Sequence, residues 1–356
     1  MPDQADRLLD PAPSAHGATM LAGVVVDAYN AELRAPEGFL GDRASGRAFR
    51  SILEWWRGRL RELDDDPLGG TPTEAISRRQ LDRVLTDGDP EAAGLVHGVV
   101  EEFAQSLAEV LQRLLRLEAW QGTERIVVGG GMRGSRVGEL AIGRAAMLLK
   151  DASHVLDLVP IRHDPDEAGL IGSLHLAPPG LLTSHDAVLA VDIGGTSIRA
   201  GVVRTHRDEA PDLSLARVWA SERWRHSEEE VSRDEAMERL GTMLRGLAGK
   251  AEEQDLALAP FIGIGCPGQI RADGVIERGA QNLPGHWESD GFNLPCLIRA
   301  LVPEVAGRPT VVVLHNDAVT QGLSQKPFMQ DVSRWGALTI GTGLGNARFT
   351  NLRPGA

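Results

Sequence analysis

The sequence predicts an α/β protein, and three observations carry that prediction. Short apolar runs rich in valine and isoleucine recur along the chain, each ending in glycine or in a polar turn. Between them lie segments whose apolar residues repeat at helical spacing. The 356-residue length and 42% apolar composition suffice for about two domains with sizeable cores.

Residues 1–17 are polar and rich in proline and alanine and are expected to be a tail, with His16 part of it and without partners. Val24 to Asp27 reads as a short strand. Residues 47–63 and 91–117 read as helices. In the second, Leu95, Val99, Phe103, Leu107, Val110, Leu111 and Leu114 form one apolar stripe. Asp64-Asp65-Asp66-Pro67-Leu68-Gly69-Gly70 reads as a loop, with a solvated turn expected over a metal site. A strand at 125–128 runs into Gly129-Gly130-Gly131, and a helix follows over 135–149. Residues 178–185 read as a linker. Beyond it, Val188 to Val203 has the pattern of two strands around a glycine turn. A helix over 232–253, strands over 261–265 and 310–314, and a hairpin from Ala337 to Phe349 complete the pattern. Strands alternating with helices indicate layered α/β architecture.

The net charge of −13 argues against a nucleic-acid partner, which would favour a basic face. Two cysteines, Cys266 and Cys296, cannot build a disulfide framework and suit a reducing cytoplasm. No stretch reads as a signal peptide or as a run of about 18 apolar residues, so a membrane role is not expected.

Four stretches carry chemistry. In Asp192-Ile193-Gly194-Gly195-Thr196, a carboxylate at a strand end can hold hydrated Mg²⁺. The glycines after it let backbone N–H groups approach phosphate oxygens, and Thr196 adds a hydroxyl donor. A plain hairpin with a Gly-Gly turn is the alternative. Gly341-Thr342-Gly343 is a second cradle of the same type, also after a strand. His315-Asn316-Asp317 ends the apolar strand 310–314. Asp317 there is placed to accept the proton of a hydroxyl attacking a γ-phosphate, with Asn316 orienting the same substrate. Asp317 could equally be a helix N-cap, and both roles can coexist. The fourth, Cys266-Pro267-Gly268 with Asn282-Leu283-Pro284-Gly285 downstream, reads as a turn that forms a backbone wall beside a ligand.

Together these stretches resemble the ROK family of sugar kinases and regulators, within the superfamily of hexokinases and actin-like ATPases. The resemblance spans roughly residues 18–356 and implies a two-domain actin-like ATPase (ribonuclease H-like) fold. Its order is unusual. Gly129-Gly130-Gly131 and Asp166 to Ser173 resemble the family's C-terminal adenosine motif and last helix, yet precede the Asp192 hairpin that opens other members. A circular permutation is implied. The expected parts are a large domain over 1–165 and 315–356 and a small domain over 166–314.

The resemblance implies ATP and Mg²⁺, with Asp192 positioning the metal through water. Gly194, Gly195, Thr196, Gly341, Thr342 and Gly343 would hold phosphates, Gly129, Gly130 and Gly131 the adenosine, and Asn316, Asn282 and Gly268 the substrate. It also exposes departures. Residues 19–41 lack the His and Cys of the family's zinc site, with Phe39 where one Cys belongs, so no structural zinc is expected. Thr19 to Gly23 and Gly41 stand where sugar-reading Glu and His residues belong. The implied activity is phosphorylation of a primary hydroxyl on a small sugar-like polyol, such as a C7-cyclitol. The alternatives are a glucokinase-type enzyme using Glu32, Glu37 or Asp42 as sugar ligands, and a non-catalytic sugar-binding pseudokinase. The family's frequent dimers leave a homodimer open.

Overall fold

Asp89 accepts hydrogen bonds from the N–H groups of Glu91 and Ala92, and Pro90 occupies the first helical position. This start signal launches the longest helix of the chain. All seven residues of its predicted apolar stripe are buried. Ser77 with Gln80 and Ser232 with Glu235 form capping boxes at two further helices.

A computed structural model describes residues 15–35, 38–63, 65–152, 155–178, 180–289 and 291–352. The chain opens with strands β1 (Met20–Leu21), β2 (Val24–Tyr29), β3 (Arg34–Ala35) and β4 (Gly38–Phe39). Helices α1 (Gly46–Leu63), α2 (Arg78–Asp87) and α3 (Pro90–Arg116) follow, then β5 (Arg125–Gly129), α4 (Arg136–Asp151) and β6 (Asp157–Pro160). Next come α5 (Ala168–Ser173), β7 (Ala187–Ile193), β8 (Ile198–Arg204), β9 (Arg217–Trp224), α6 (Arg233–Glu252) and β10 (Leu258–Cys266). The rest is β11 (Gln269–Ile270), β12 (Ile276–Arg278), α7 (Leu294–Leu301), β13 (Glu304–Val305), β14 (Arg308–Pro309), β15 (Val311–Asn316), α8 (Asp317–Leu323), β16 (Arg334–Ile340) and β17 (Leu344–Asn351).

Two compact units result. The first comprises residues 1–30, 166–331 and 350–356, the second 31–165 and 332–349. In this division residues 1–30 and 315–331 cluster with 166–314. The reason is pairing. β15 lies parallel to β10, so Asn316 and Asp317 stay with the sheet that leads to them. Gly17 donates to the Leu314 carbonyl, and His16 Nδ1 accepts the Leu314 N–H. His16 is therefore docked against β15, not part of a partnerless tail; residues 1–14 of that tail lie outside the described residues.

The first unit is built on a five-stranded sheet in the order β15-β10-β7-β8-β9. β7, β10 and β15 are parallel, while β8 and β9 run antiparallel to their neighbours. The predicted hairpin is β7–β8, in register from Ala187↔Arg204 to Ile193↔Ile198. One face is covered by α6 and α7 through Leu240, Leu244, Leu247, Leu294 and Ile298, all fully buried. Parallel central strands need apolar residues on both faces, and all nine residues of β10 are buried.

The second unit carries β17-β16-β5-β6, with β16 and β5 parallel. Its core is the stripe of α3 packed with Phe49 and Leu53 of α1 and Val137, Ala141 and Ala145 of α4. In the 64–70 loop, Asp66 is not solvated. It accepts from Arg57 Nε at 2.8 Å inside the unit, and Arg57 is 0% exposed. Arg57 also reaches Thr73 and the carbonyls of Gly69 and Thr71, so the loop is wound around a buried guanidinium.

Candidate functional site

β7, β10 and β15 end at the same level. Asp192 stands opposite Gly265, and Cys266 opposite Asn316. In an open α/β sheet the carboxyl ends of parallel strands form the ligand-binding edge. Here that edge collects Asp192, Gly194, Gly195, Asn282, Gly268, Asn316 and Asp317.

Asp317 is the first residue of α8. Asn316, not Asp317, is the N-cap: its Oδ1 accepts the Ala318 N–H at 2.9 Å. Asp317 Oδ1 accepts the same N–H at 2.9 Å, and the residue is partly exposed. Burial of the carboxyl, reinforced by the negative charge of Asp192, pushes its pKa up to about 7. A carboxylate poised there can accept a proton near neutrality. Burial, and after it the charges of Asp317 and Asp192, push the Cys266 thiol well up, which places all three groups in one electrostatic neighbourhood.

Asn316 Nδ2 donates to the Gly268 carbonyl at 3.0 Å. The side chain, 2% exposed, thus ties the Pro267-Gly268 turn to the base-bearing strand end. Asn282 packs against the Gly-Gly turn: a Cβ on Gly195 would lie 3.1 Å from its Cβ. Asn282 also lines a cavity of about 520 Å³ with His226, Ser227, Glu229 and Gln281. His226 Nε2 lies 2.8 Å from the Gly194 carbonyl, which fixes that peptide of the turn. Thr196 is exposed, and its carbonyl accepts from the Ser227 N–H.

Asp192 lies beneath α5. It is 3% exposed, and a Cβ on Gly169 would come within 2.5 Å of its carboxyl carbon. Only glycine allows α5 to lie this close to the carboxylate. Arg199, directly opposite on β8, donates to Asp192 Oδ2 at 3.3 Å. Arg199 also pairs with Asp166, which in turn accepts from Arg223 of β9 at 2.9 Å. Burial raises the Asp192 pKa, and Arg199 opposes that shift. The sequence motifs include Asp166 and Arg199 but assign neither a partner, and Arg223 and His226 carry no motif. The signal for the arginines is the cross-strand register, since Arg199 faces Asp192 on one side and Arg223 on the other.

His315 is fully buried beside the base. Its Nδ1 accepts the Asn316 N–H at 2.8 Å, which leaves Nε2–H to donate to the Ala18 carbonyl at 3.0 Å. Burial lowers its pKa to about 4, so it is a neutral brace for the Asn316-Asp317 corner.

The second unit brings its two glycine motifs together. Thr339 of β16 pairs with Gly129 of β5, so Gly129-Gly130-Gly131 and Gly341-Thr342-Gly343 leave adjacent parallel strands at the same end. Gly130 has φ +82°, and a Cβ there would lie 2.5 Å from the Ile340 carbonyl oxygen. The Gly341 N–H bonds the Gly343 carbonyl across Thr342, and the Gly341 carbonyl accepts from Gly46 at 2.8 Å. Glu32 and Asp42 belong to this unit, with Asp42 exposed; Glu37 lies outside the described residues.

The donor set fits a hydrated Mg²⁺ arriving with a nucleotide. Asp192 offers one carboxylate of which Arg199 claims one oxygen, and no cluster of three ligating side chains exists among the described residues. The bare glycine turns of both units fit the approach of phosphate oxygens to backbone N–H groups.

No family model and no curated protein matches the chain. Solved structures do. It is similar to a ROK-family glucokinase from Streptomyces griseus in complex with glucose and AMPPNP, at 23% identity and TM-score 0.35 over 48% of this chain and 47% of that one. A ROK hexokinase from Thermus thermophilus matches at 25% identity and TM-score 0.33 over 47% of this chain and 48% of that one. A Listeria monocytogenes protein provisionally assigned as an N-acetylmannosamine kinase matches at 27% identity and TM-score 0.33 over 46% and 47%. The chain thus spans about half the length of the structures it matches.

Proposed function

We propose that this protein is an ATP-dependent kinase of ROK type, circularly permuted, that phosphorylates a primary hydroxyl on a small sugar-like polyol. The observation that carries the reading is Asp317, held at a strand end with a pKa near 7 beside the second carboxylate, Asp192. A hydroxyl group is a weak nucleophile while it keeps its proton, and a base near neutrality can take that proton as the oxygen attacks.

In this reading Asp317 accepts the substrate proton. Gly268, Asn282 and Asn316 shape the wall beside the substrate. The Gly194-Gly195-Thr196 and Gly341-Thr342-Gly343 turns hold phosphates through backbone N–H groups other than those of Gly194 and Gly341, which bond inside their own turns, and Gly129 to Gly131 contact the adenosine. When bound, Mg²⁺ neutralises phosphate charge, with Asp192 as its outer partner through water. The finer reading of the substrate as a C7-cyclitol rests on the absence of Glu and His from Thr19 to Gly23 and of Glu at Gly41. Buried sites lacking those partners read a different hydroxyl pattern. A coupled ADP-release assay over glucose, mannose, N-acetylmannosamine and cyclitols tests both levels. Turnover on none of these polyols would remove the kinase reading, and best turnover on glucose would remove the cyclitol.

A further inference from the structure

In the second unit, among the described residues, the Arg78 guanidinium makes no ion pair. Arg78 is the first residue of α2, set in place by the Ser77–Gln80 capping box. Its guanidinium lies on the glycine turn: Nη1 is 2.8 Å and Nη2 3.3 Å from the point a Cβ on Gly131 would occupy. Nη2 is also 3.9 Å from the corresponding point on Gly46, whose N–H holds the Gly341 carbonyl. Arg78 therefore stands where the two glycine motifs of this unit meet.

Among the described residues, no hydrogen bond or ion pair engages the Arg78 guanidinium. Asp82, an acid whose charge acts on Arg78, spends Oδ1 on the Val137 N–H at 3.0 Å. Arg50 adds a second positive charge. Partial burial and Arg50 together press against the charged form of Arg78, while Asp82 offers weaker support. A half-buried guanidinium in a positive neighbourhood needs an anion from elsewhere, because an unpaired buried charge is unfavourable.

We propose that Arg78 binds the phosphate chain of the nucleotide, bridging the Gly129–Gly131 turn and the Gly341–Gly343 turn. This rests on the reading of those turns as nucleotide contacts and adds a side chain to their backbone donors. The ligand class is a nucleoside di- or triphosphate. Arginine's planar fork suits phosphate oxygens better than a point charge does.

The test is calorimetric titration of the full chain with Mg·ADP and, separately, with adenosine. Arg78→Ala is expected to weaken Mg·ADP about ten- to a hundredfold, the range of one lost charge-assisted contact, and to leave adenosine unchanged. Arg78→Lys should recover part of the loss. Thermal melts of both variants report whether the fold is intact. Unchanged Mg·ADP affinity in a folded Arg78→Ala would overturn the assignment. Equal weakening of Mg·ADP and adenosine would also overturn it, by making Arg78 a wall of the pocket. A wild-type chain that binds neither would instead remove the nucleotide reading itself.

Discussion

Replacing Asp317 by Asn should abolish activity and stabilise the protein at the same time. The carboxyl's pKa rises from 3.8 to about 7 on folding, chiefly through burial and then through Asp192. A raised carboxyl pKa means the folded state binds the proton more tightly. Stability is therefore greatest at low pH and falls as pH climbs from 3.8 to about 7. The penalty is about 1 kcal/mol at pH 4.5 and about 4 kcal/mol at pH 8, an upper figure because solvent reaches part of the side chain. Asp317→Asn removes the charge and keeps an oxygen to accept the Ala318 N–H. Chemical denaturation at the two pH values should show the variant more stable than wild type at pH 8, by up to about 3 kcal/mol beyond any difference at pH 4.5. Turnover should fall about 10²- to 10⁴-fold. The wild-type kcat/KM should rise with pH and level off above about 7. A variant whose advantage over wild type is no larger at pH 8 than at pH 4.5, or a wild-type profile flat from about pH 6 to 9, would refute the electrostatic picture of the base.

His315 should show the opposite slope. Its pKa is lowered from 6.5 to about 4, so its stabilising effect is complete above 6.5 and is lost as pH falls toward 4. His315→Gln should flatten acid unfolding in that window; an unchanged acid limb would count against the neutral brace. Arg199→Met should destabilise the first unit by about 3 kcal/mol, because Asp192 would stay buried without its partner. Urea unfolding measures this, and wild-type stability in the variant would contradict it. Gly169→Ala places a methyl group 2.5 Å from the Asp192 carboxyl carbon and should lower turnover at unchanged circular dichroism. Gly130→Ala meets both a φ of +82° and the Ile340 backbone, and should lower stability by about 2 kcal/mol or more.

Asp317 and His315 are separated by one residue in sequence, yet their charges respond to pH in opposite senses. The cause is one shared burial, which disfavours the ion in both. The summed effects partly cancel in the wild type, and only single replacements separate them.

The sequence by itself determined whatever a short stretch of chain can encode. The β7–β8 hairpin, the α3 stripe, and the glycine turns after β5, β7 and β16 all follow from local alternation, periodicity and turn chemistry, and each stands within a residue or two of its expected place. The carboxylate Asp317 at a strand end was legible for the same reason. Only the tertiary structure decided what lies across from each of these. Arg199 reaches Asp192 because two strands pair in one register, and Asp166 reaches Arg199 across 33 residues. His16 belongs to β15 through a hydrogen bond spanning 298 positions. Asp66 became an internal ion-pair partner because Arg57 lies buried beneath it. Arg78 meets Gly131 because α2 returns to the end of β5. Local sequence sets which groups can do chemistry. Long-range packing sets their partners, and with the partners their charge.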